Sequence, residues 1–576
     1  MKTTLLIAFF ISLTISSFAS HNLGGEITYK QVQGNTYKIT VTTYTKESSK
    51  LADKCSLKVK FGDGDSAVFN RVNGPLGTLC SGTIPTGEMI GDDVKKNVYE
   101  GIHAYPGPGT YMITMEDPNR NHGICNIPGA SDQQSFFLKS VLVIGSFLQN
   151  NSPVFLNPPI DNGCVGQCFT HNPAAFDIDG DSLVYTVIPC YGNGVPIAGY
   201  TFPDGVTAES INHQTGTFEW CAPATTCIYN IAILVEQWKF IGGKPYFAGS
   251  VMRDMQITTE ASDNKQPKIN KLKETYVEAL KDVHYEVIAT DDDPDNLKLT
   301  AISGLFMVDP NLVFTPASGL SAVKGDFDWQ AGCSFYVQRM PHDVVFKVED
   351  NRSPKKLTNY EVLRIRIIAP AVENVTASPF LKTVSLSWDE EKCISKTDFN
   401  MLVSYDVYRK NGCDNWTHQP GETGIPASAG YELIGSVDNS TNTFFDDNNG
   451  VGLTPGLNYT YIIVCRYNDG AQSYASEGKC VLVTGIKELA RTADVKIVPN
   501  PSDGTFRIES EFYSHSPLTL FIRNALGQVI YQENTMLPPG GATVSLNLQP
   551  GIYLLELENQ NGRSVKKISI TKKRND

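Results

Sequence analysis

The segment FDIDGDSLVYTV, residues 176–187, sets Asp177, Asp179 and Asp181 at alternate positions around Gly180 and then enters an apolar run. Carboxylates two residues apart on an extended chain lie about 6.6 Å from one another. Such a pair repels by roughly 0.6 kcal/mol in water and about 2.5 kcal/mol at an effective dielectric of 20. If exposed, the trio is held apart by water alone; packed against protein, it calls for a cation. Three roles suit these residue types: a metal site, a catalytic carboxylate cluster, or the turn that starts a strand.

The pattern recurs. AFDIDGDSLVYTVI from Ala175 aligns without a gap with ATDDDPDNLKLTAI from Ala289, 114 residues later, and brings Asp291, Asp293 and Asp295 into register. GTFEW at residues 216–220 and GDFDW at 325–329 align at a spacing of 109, so a short deletion separates the copies. A catalytic carboxylate serves one site and needs a partner acid, base or nucleophile. A duplicated acidic turn before the same strand points instead to architecture, with Ca2+ as the candidate cofactor. The helix-loop-helix calcium pattern fails, because Gly180 is not at the sixth loop position and Ile188 stands where a bidentate Glu is required.

The elements around these turns read as strands. At 576 residues the chain exceeds one core, and about 150 residues per domain suggests roughly four. Tyr, Phe, Val, Ile and Thr alternate in short runs separated by Gly, Pro, Asn and Asp. The apolar fraction of 41% against 19% charged predicts a folded chain. A net charge of −13 leaves nothing to neutralise phosphates, so nucleic acid is excluded as a partner.

The first twenty residues, MKTTLLIAFFISLTISSFAS, carry Lys2, an apolar run over residues 5–15 and small residues after it. That run is too short to span a membrane, which takes about 20 apolar residues, and it reads as a secretory signal cleaved after Ala19. No later segment is apolar enough for an anchor, so no transmembrane segment is expected in the mature chain. Export makes disulfides the default for the 13 cysteines, an odd number. Zinc is a weak reading: Cys164 and Cys168 have suitable spacing, but no second pair follows.

The polar linker ASDNKQPKIN separates the two repeat copies, giving modules at 149–262 and 263–370. Trp220 and Trp329 are expected to fill their matching cores. Their acidic turns resemble those of cadherin-like repeats of bacterial surface proteins, which makes Asp177, Asp179, Asp181, Asp291, Asp293 and Asp295 candidate calcium ligands. VKFGDGDSAVF and HAYPGPGTYMITMED, within residues 20–148, resemble a PKD-type immunoglobulin-like sandwich. His103 is expected there as a turn histidine bonded to backbone. The loop EDPNRNHGICNI, with Asp117, Asn119, Arg120 and Asn121, reads as solvated or partner-binding. Residues 371–487 look like a fibronectin type III domain: SLSWDE supplies a core Trp388, YDVYRK an alternating strand, and LTPGLNYTYIIV a tyrosine-corner strand with Tyr459 or Tyr461 inward. Its cysteines suggest Cys393 with Cys413 and Cys465 with Cys480, although four cysteines allow three connectivities.

Residues 488–576 read as a small antiparallel sandwich. Pro499 and Pro501 bracket Asn500, Gly504 permits a turn, a hairpin surrounds residues 525–528, and LQPGIYLLELENQNG carries Gly551 and Tyr553. With Gly527 at the hairpin, these residues resemble the C-terminal sorting domain, type A, of type IX secretion cargo. SHNLGGEITY, DPNRNHGI, HNPAAFDIDGDSLVY and VMRDMQI are similar to large gliding-motility-associated extracellular proteins. In that family a cysteine often follows VEDNRSP's Asn351 by two residues; here Ser353 stands there, which leaves Cys333 as the expected odd thiol.

The resemblance implies an all-β chain of tandem immunoglobulin-like β-sandwiches ending in a small sorting sandwich. It also implies export to the cell surface or medium, with the type IX machinery and its sorting peptidase as partners. No Gly-x-Ser-x-Gly, His-Glu-x-x-His or phosphate-binding glycine loop occurs, and His171 near Asp177 is expected to be structural, so no enzyme is expected. The expected function is adhesion or scaffolding through a surface glycan or protein ligand. The alternative is a carbohydrate-binding or enzyme-accessory protein, with Trp238 and KFIGGKPYF as the segment where an aromatic platform would lie.

Overall fold

The computed structural model describes residues 22–79, 82–145, 150–221, 223–241, 244–335, 341–353, 355–393, 402–468, 470–484, 495–514, 517–559 and 562–571. The signal segment with its cleavage point, the module start at 488 and Cys80 lie outside these residues. Among the described residues the chain is almost entirely strands and turns, and the α-helix Leu305–Val308 is a single turn. Two compact units divide near Pro370.

In the first unit, period-2 alternation decides what is buried. Along Thr36–Lys46, Tyr37, Ile39 and Val41 are inside while Lys38 and Thr40 are partly exposed. Antiparallel pairing runs from Asn22–Gln33 through Thr36–Lys46, Val94–Ala104, Ser66–Arg71, Ser56–Lys60, Gly109–Asp117, Phe136–Ile144 and Lys244–Glu260. The last of these pairs back to the first, with Gly24 opposite Met255 and Gly25 opposite Asp254, so the ring closes. The two glycines make this approach feasible: a Cβ on Gly24 would meet Asp254 O at 2.8 Å, and one on Gly25 would meet Thr42 O at 2.7 Å. The ring encloses a core of Ile27, Tyr29, Val59, Phe69, Ile113 and Phe136, among others.

The sheet therefore crosses the boundary expected at residue 148, and the first core is not private to residues 20–148. The cause is strand length. Lys244–Glu260 has 17 residues and serves two cores in succession. Val251 pairs with Ser140 in the ring, while Met255 and Ile257 lie in the second core with Trp220, Phe218 and Tyr185. Cys227–Ile241 and Ser182–Ile188 extend the same sheet.

The third module is a sandwich of two sheets. One orders Lys268–Ile269, Asp282–Thr290, Ala322–Gln330 and Val313–Phe314; the other orders Thr275–Glu278, Thr358–Ile368, His342–Asp350, Asn296–Ile302 and Ala317–Leu320. Trp220 and Trp329 are 1% and 2% exposed and fill their respective cores.

The second unit opens with a three-stranded sheet, Thr376–Phe380, Thr383–Ser387 and Thr443–Asp446, and a four-stranded one, Glu432–Asp438, Leu402–Asn411, Asn458–Tyr467 and Lys479–Leu482. Trp388 meets Tyr405 edge-on with centroids 5.5 Å apart. Both candidate tyrosines turn inward: Thr454 N donates to Tyr459 Oη at 3.0 Å, and Tyr461 Oη donates to Asp446 at 2.7 Å.

The expected disulfide pairing is corrected here. Cys413 bonds Cys480, and Cys465 is a buried free thiol. Leu402–Asn411 and Lys479–Leu482 flank Asn458–Tyr467 on opposite edges, yet Cys413 lies past the end of the first, where Asp414 N reaches Thr460 Oγ1, and Cys480 is opposite Thr460. Closing this 67-residue separation contributes about 4 kcal/mol on the chain-entropy model. Cys393 is disulfide-bonded, but not to Cys413, and Cys333 is disulfide-bonded rather than the odd thiol. Cys125 pairs with Cys227, and Cys168 with Cys221; Cys164 is free and buried, so the zinc reading of Cys164 and Cys168 fails.

The last module packs Lys496–Val498, Thr505–Glu509 and Ala542–Ser545 against a sheet ordered Val529–Met536, Pro517–Arg523, Gly551–Asn559 and Gly562–Ile570. Phe506, Ile508, Leu520, Ile522, Leu555 and Ile568 form its core.

Candidate functional site

The first acidic turn is built by one carboxylate on its own backbone. Asp177 Oδ1 accepts the N–H groups of Asp179 at 2.9 Å and Asp181 at 3.1 Å, and Gly180 supplies the positive φ, +75°, that the turn needs. Asp177 Oδ2 accepts from Gln237 Nε2 at 2.6 Å. Exposed Asp179 accepts from Asn151 N at 2.6 Å and Nδ2 at 2.8 Å. Asp181 is 5% exposed; one oxygen lies 3.4 Å from Lys239 Nζ, and Oδ2 is buried with no hydrogen-bond partner.

Burial, followed by the Asp181 charge, pushes the Asp177 carboxyl up to about 7. Burial also raises Asp181, against the pull of Lys239. One oxygen from each of the three carboxylates lies within 4.8 Å of the others. Crowded, desolvated carboxylates with an orphaned oxygen fit a hard, oxygen-seeking cation such as Ca2+, which would supply the compensating charge.

The second turn keeps the scaffold but not this fit. Lys265 N donates to Asp293 at 2.8 Å, the counterpart of the Asn151 bond to Asp179, and Asp291 accepts from Asp293 N at 2.9 Å. Asp291 also keeps one buried oxygen without a partner. However, Arg352 Nη1 lies 3.3 Å from both Asp293 and Asp295, and its Nη2 lies 3.3 Å from Asp263. The guanidinium supplies the positive charge from within the chain. Among the described residues, the three oxygens converge within 4.8 Å in the first copy and not in the second. Asp291, Asp293 and Asp295 therefore do not fit calcium.

Other sequence candidates make contacts within the fold. His103 Nε2 bonds the Asp63 carboxylate at 2.6 Å, not backbone, and its ring stacks on Phe61 at 3.9 Å. The loop read as solvated is partly a core plug. Arg120, fully buried, donates to both oxygens of Asp254 at 2.9 and 2.7 Å, to Asn230 at 2.8 Å, and to the carbonyls of Ser135 and Tyr191. Asn121 bonds Gln256 and Asn22 O. A buried guanidinium with paired partners gives the same sequence signal as a surface one, which is why this role was missed.

His171 is fully buried and faces Asp161, not Asp177. Its Nδ1 lies 2.6 Å from Asp161 Oδ2; Tyr360 Oη donates to the same oxygen at 2.7 Å, and Lys347 Nζ lies 3.1 Å from Oδ1. Lys347 beside it helps hold the Asp161 carboxyl well below the usual range despite burial, and burial lowers His171. Asn157 joins the network through Tyr360 at 2.9 Å and accepts from Arg253, which pairs with Glu26 at 3.1 Å. The bonds thus run from Glu26 in the closed ring, through residues 157–171, to Lys347 and Tyr360 of the third module.

At the end of the hairpin formed by Cys227–Ile241 and Lys244–Glu260, Phe240, Ile241 and Tyr246 are 42%, 43% and 46% exposed. Trp238 is instead partly covered by Phe247, edge-on at 5.7 Å. The aromatic exposure lies on Phe240 and Tyr246, next to the acidic turn through Lys239.

In the last module the motif residues have distinct jobs. Asn500, held between Pro499 and Pro501, accepts from Ser569 N at 2.8 Å and donates to Lys567 O at 2.8 Å. Gly504, at φ +107°, lets Leu546 N reach its carbonyl, where a Cβ would sit 2.4 Å from Leu546 O. Gly527, at φ +79°, closes the hairpin onto Asn524. Tyr553, two residues after Gly551, donates to Gln549 O at 2.9 Å.

Residues 496–571 match the family model described as a secretion system C-terminal sorting domain. No curated protein matches the chain significantly. Among solved structures, titin domains A168–A170 are similar at 11% identity and a TM-score of 0.18, covering 58% of this chain and 97% of that one. The chain thus carries a type IX sorting domain, which directs it to the cell surface or the extracellular space.

Proposed function

We infer that the exported chain is a non-enzymatic adhesion or structural protein that holds a binding surface for a glycan or protein away from the cell. The observation that carries this is the stitching of the first unit: a closed strand ring sharing Lys244–Glu260 with the next core, and a buried charged network joining that region to the third module. Such coupling suits a load-bearing spacer, since separating the modules would strand buried charges. The type IX machinery and its sorting peptidase are the export partners, and the resemblance of SHNLGGEITY and HNPAAFDIDGDSLVY to gliding-associated surface proteins is in keeping with display.

Deleting residues 22–370 while keeping the leader and residues 371–576 tests the reading. Cells should still export the remainder but lose attachment to the surface or glycan they normally bind; unchanged attachment would refute it. Exposed Phe240 and Tyr246 favour a second reading, carbohydrate binding in support of an enzyme. A glycan-degradation assay with a co-secreted glycan hydrolase separates the two: stimulation by the mature protein that is lost in Phe240→Ala supports the second, and glycan binding without stimulation supports the first.

A further inference from the structure

The last module's four-stranded sheet has two edges, and the chain treats them differently. The C-terminal half of its edge strand Gly562–Ile570 is covered by the sorting motif itself. Besides the two Asn500 bonds, Ser502 N donates to Ser569 O at 2.9 Å and Thr571 N donates to Ser502 O at 2.8 Å. At the other edge, among the described residues, Val529–Met536 pairs with Pro517–Arg523 alone.

That second edge is only lightly protected: a bulge where Arg523 pairs with Val529 and the charge of Glu533, opposite core Leu520, are its guards. Exposed edge strands are normally blunted by Lys, Pro or a covering loop. VIYQENTM has neither Lys nor Pro, and Val529, Ile530 and Met536 are 43%, 41% and 57% exposed. Ile530, Gln532, Asn534 and Met536 share the face away from the core, because Leu518, Leu520 and Ile522 lie opposite Thr535, Glu533 and Tyr531. An unpaired backbone row beside exposed apolar side chains recognises an extended strand: main-chain bonds supply affinity, and alternate side chains supply selectivity.

We propose that the open edge of Val529–Met536 is where the secretion apparatus reads this domain, by adding one of its own extended segments, with apolar residues facing Ile530 and Met536, as a further strand. This rests on the reading of residues 496–571 as the export address. Asn500 and Ser502 cover residues 567–571 along the opposite edge, which leaves the edge at Val529–Met536 the more open of the two.

The test is made in the native host on the full-length chain. Backbone N–H groups alternate between the two edges of a strand, so of Gln532→Pro and Glu533→Pro one breaks the inner ladder and the other only the open edge. The variant whose melting matches wild type is the informative one, and it should be exported at least about tenfold less, with the remainder held in the periplasm. Ile530→Lys with Met536→Lys provides an independent pair of side-chain changes if both prolines unfold the domain, and should give the same loss. Wild-type export of a folded edge variant overturns the proposal. If deletion of 496–571 strands the chain while the edge variants travel normally, the edge inference alone fails; if the deletion travels normally, the address reading itself fails. If the purified chain self-associates and the edge variants are monomeric yet fully exported, the occupant is a second copy and the proposal is overturned.

Discussion

Glu391 shows how one buried carboxyl sets a pH dependence. It is 4% exposed, Oε1 accepts from Cys393 N at 2.8 Å, and Oε2 is buried without a partner. Burial pushes its carboxyl up to about 7. The folded state therefore holds this proton more tightly than the unfolded chain does. The stabilisation is fully present below pH of about 4.5 and is lost as pH rises through about 7, a loss of roughly 3 kcal/mol at most. Urea unfolding of wild type between pH 5 and 8 should show this decline, and Glu391→Gln should reduce it, leaving the part that buried Asp177 contributes; equal slopes would refute the assignment. Asp181 offers a second test at this scale. Saturating Ca2+ at a hundredfold excess over its dissociation constant should stabilise wild type by about 2.7 kcal/mol, and Asp181→Asn should lose that gain, with melting in calcium and in chelator as the readout. The acidic turns were legible because Asp at alternate positions beside a Gly or Pro stands out from the apolar run that follows. Their difference was not, since Arg352 lies 57 residues beyond Asp295 and only folding brings them together. Arg120, Arg253 and Asp254 were equally hidden: a charge in sequence reads as surface until its buried partner is known.

At the scale of elements, period-2 alternation predicted the strands, and the duplicated motif predicted a duplicated turn. The shared bond geometry at Asp179 and Asp293, 114 residues apart, is that prediction made physical. Strand partners were less legible. Hydrophobic pattern marks a strand's buried face but not which module it will complete, so Lys244–Glu260 read as part of one sandwich when it finishes a neighbouring ring. The disulfide error has the same root: pairing by proximity in sequence overlooked the chain past Leu402–Asn411, which crosses to Thr460 and brings Cys413 to Cys480. The closure of the ring makes Gly25 critical. A Cβ there would meet Thr42 O at 2.7 Å and Leu138 Cδ1 at 2.9 Å. Gly25→Ala should cost about 1–3 kcal/mol as overpacking against backbone that cannot yield. Thermal melting would show it, and a variant as stable as wild type would mean the ring opens without cost.

At the scale of the first unit, the coupling between modules turns on Asp161. It accepts from Tyr360, lies against His171 and pairs with Lys347, so residues from two modules share one buried carboxylate. Removing the lysine leaves the charge in place with less compensation, and breaking a buried pair of this kind costs about 3–5 kcal/mol. Lys347→Met should therefore destabilise the unit by an amount of that order. Asp161→Asn with Lys347→Met should recover part of it, because the pair is then removed as a whole and neither partner's charge is left uncompensated. If the modules unfold together in wild type, the single variant should split the unit's calorimetric transition into two, the third module melting apart from the ring and second core. A wild-type chain that already melts in separate steps, or a single variant with an unchanged profile, would show that the buried network does not couple the modules, and the load-bearing reading would lose its physical basis.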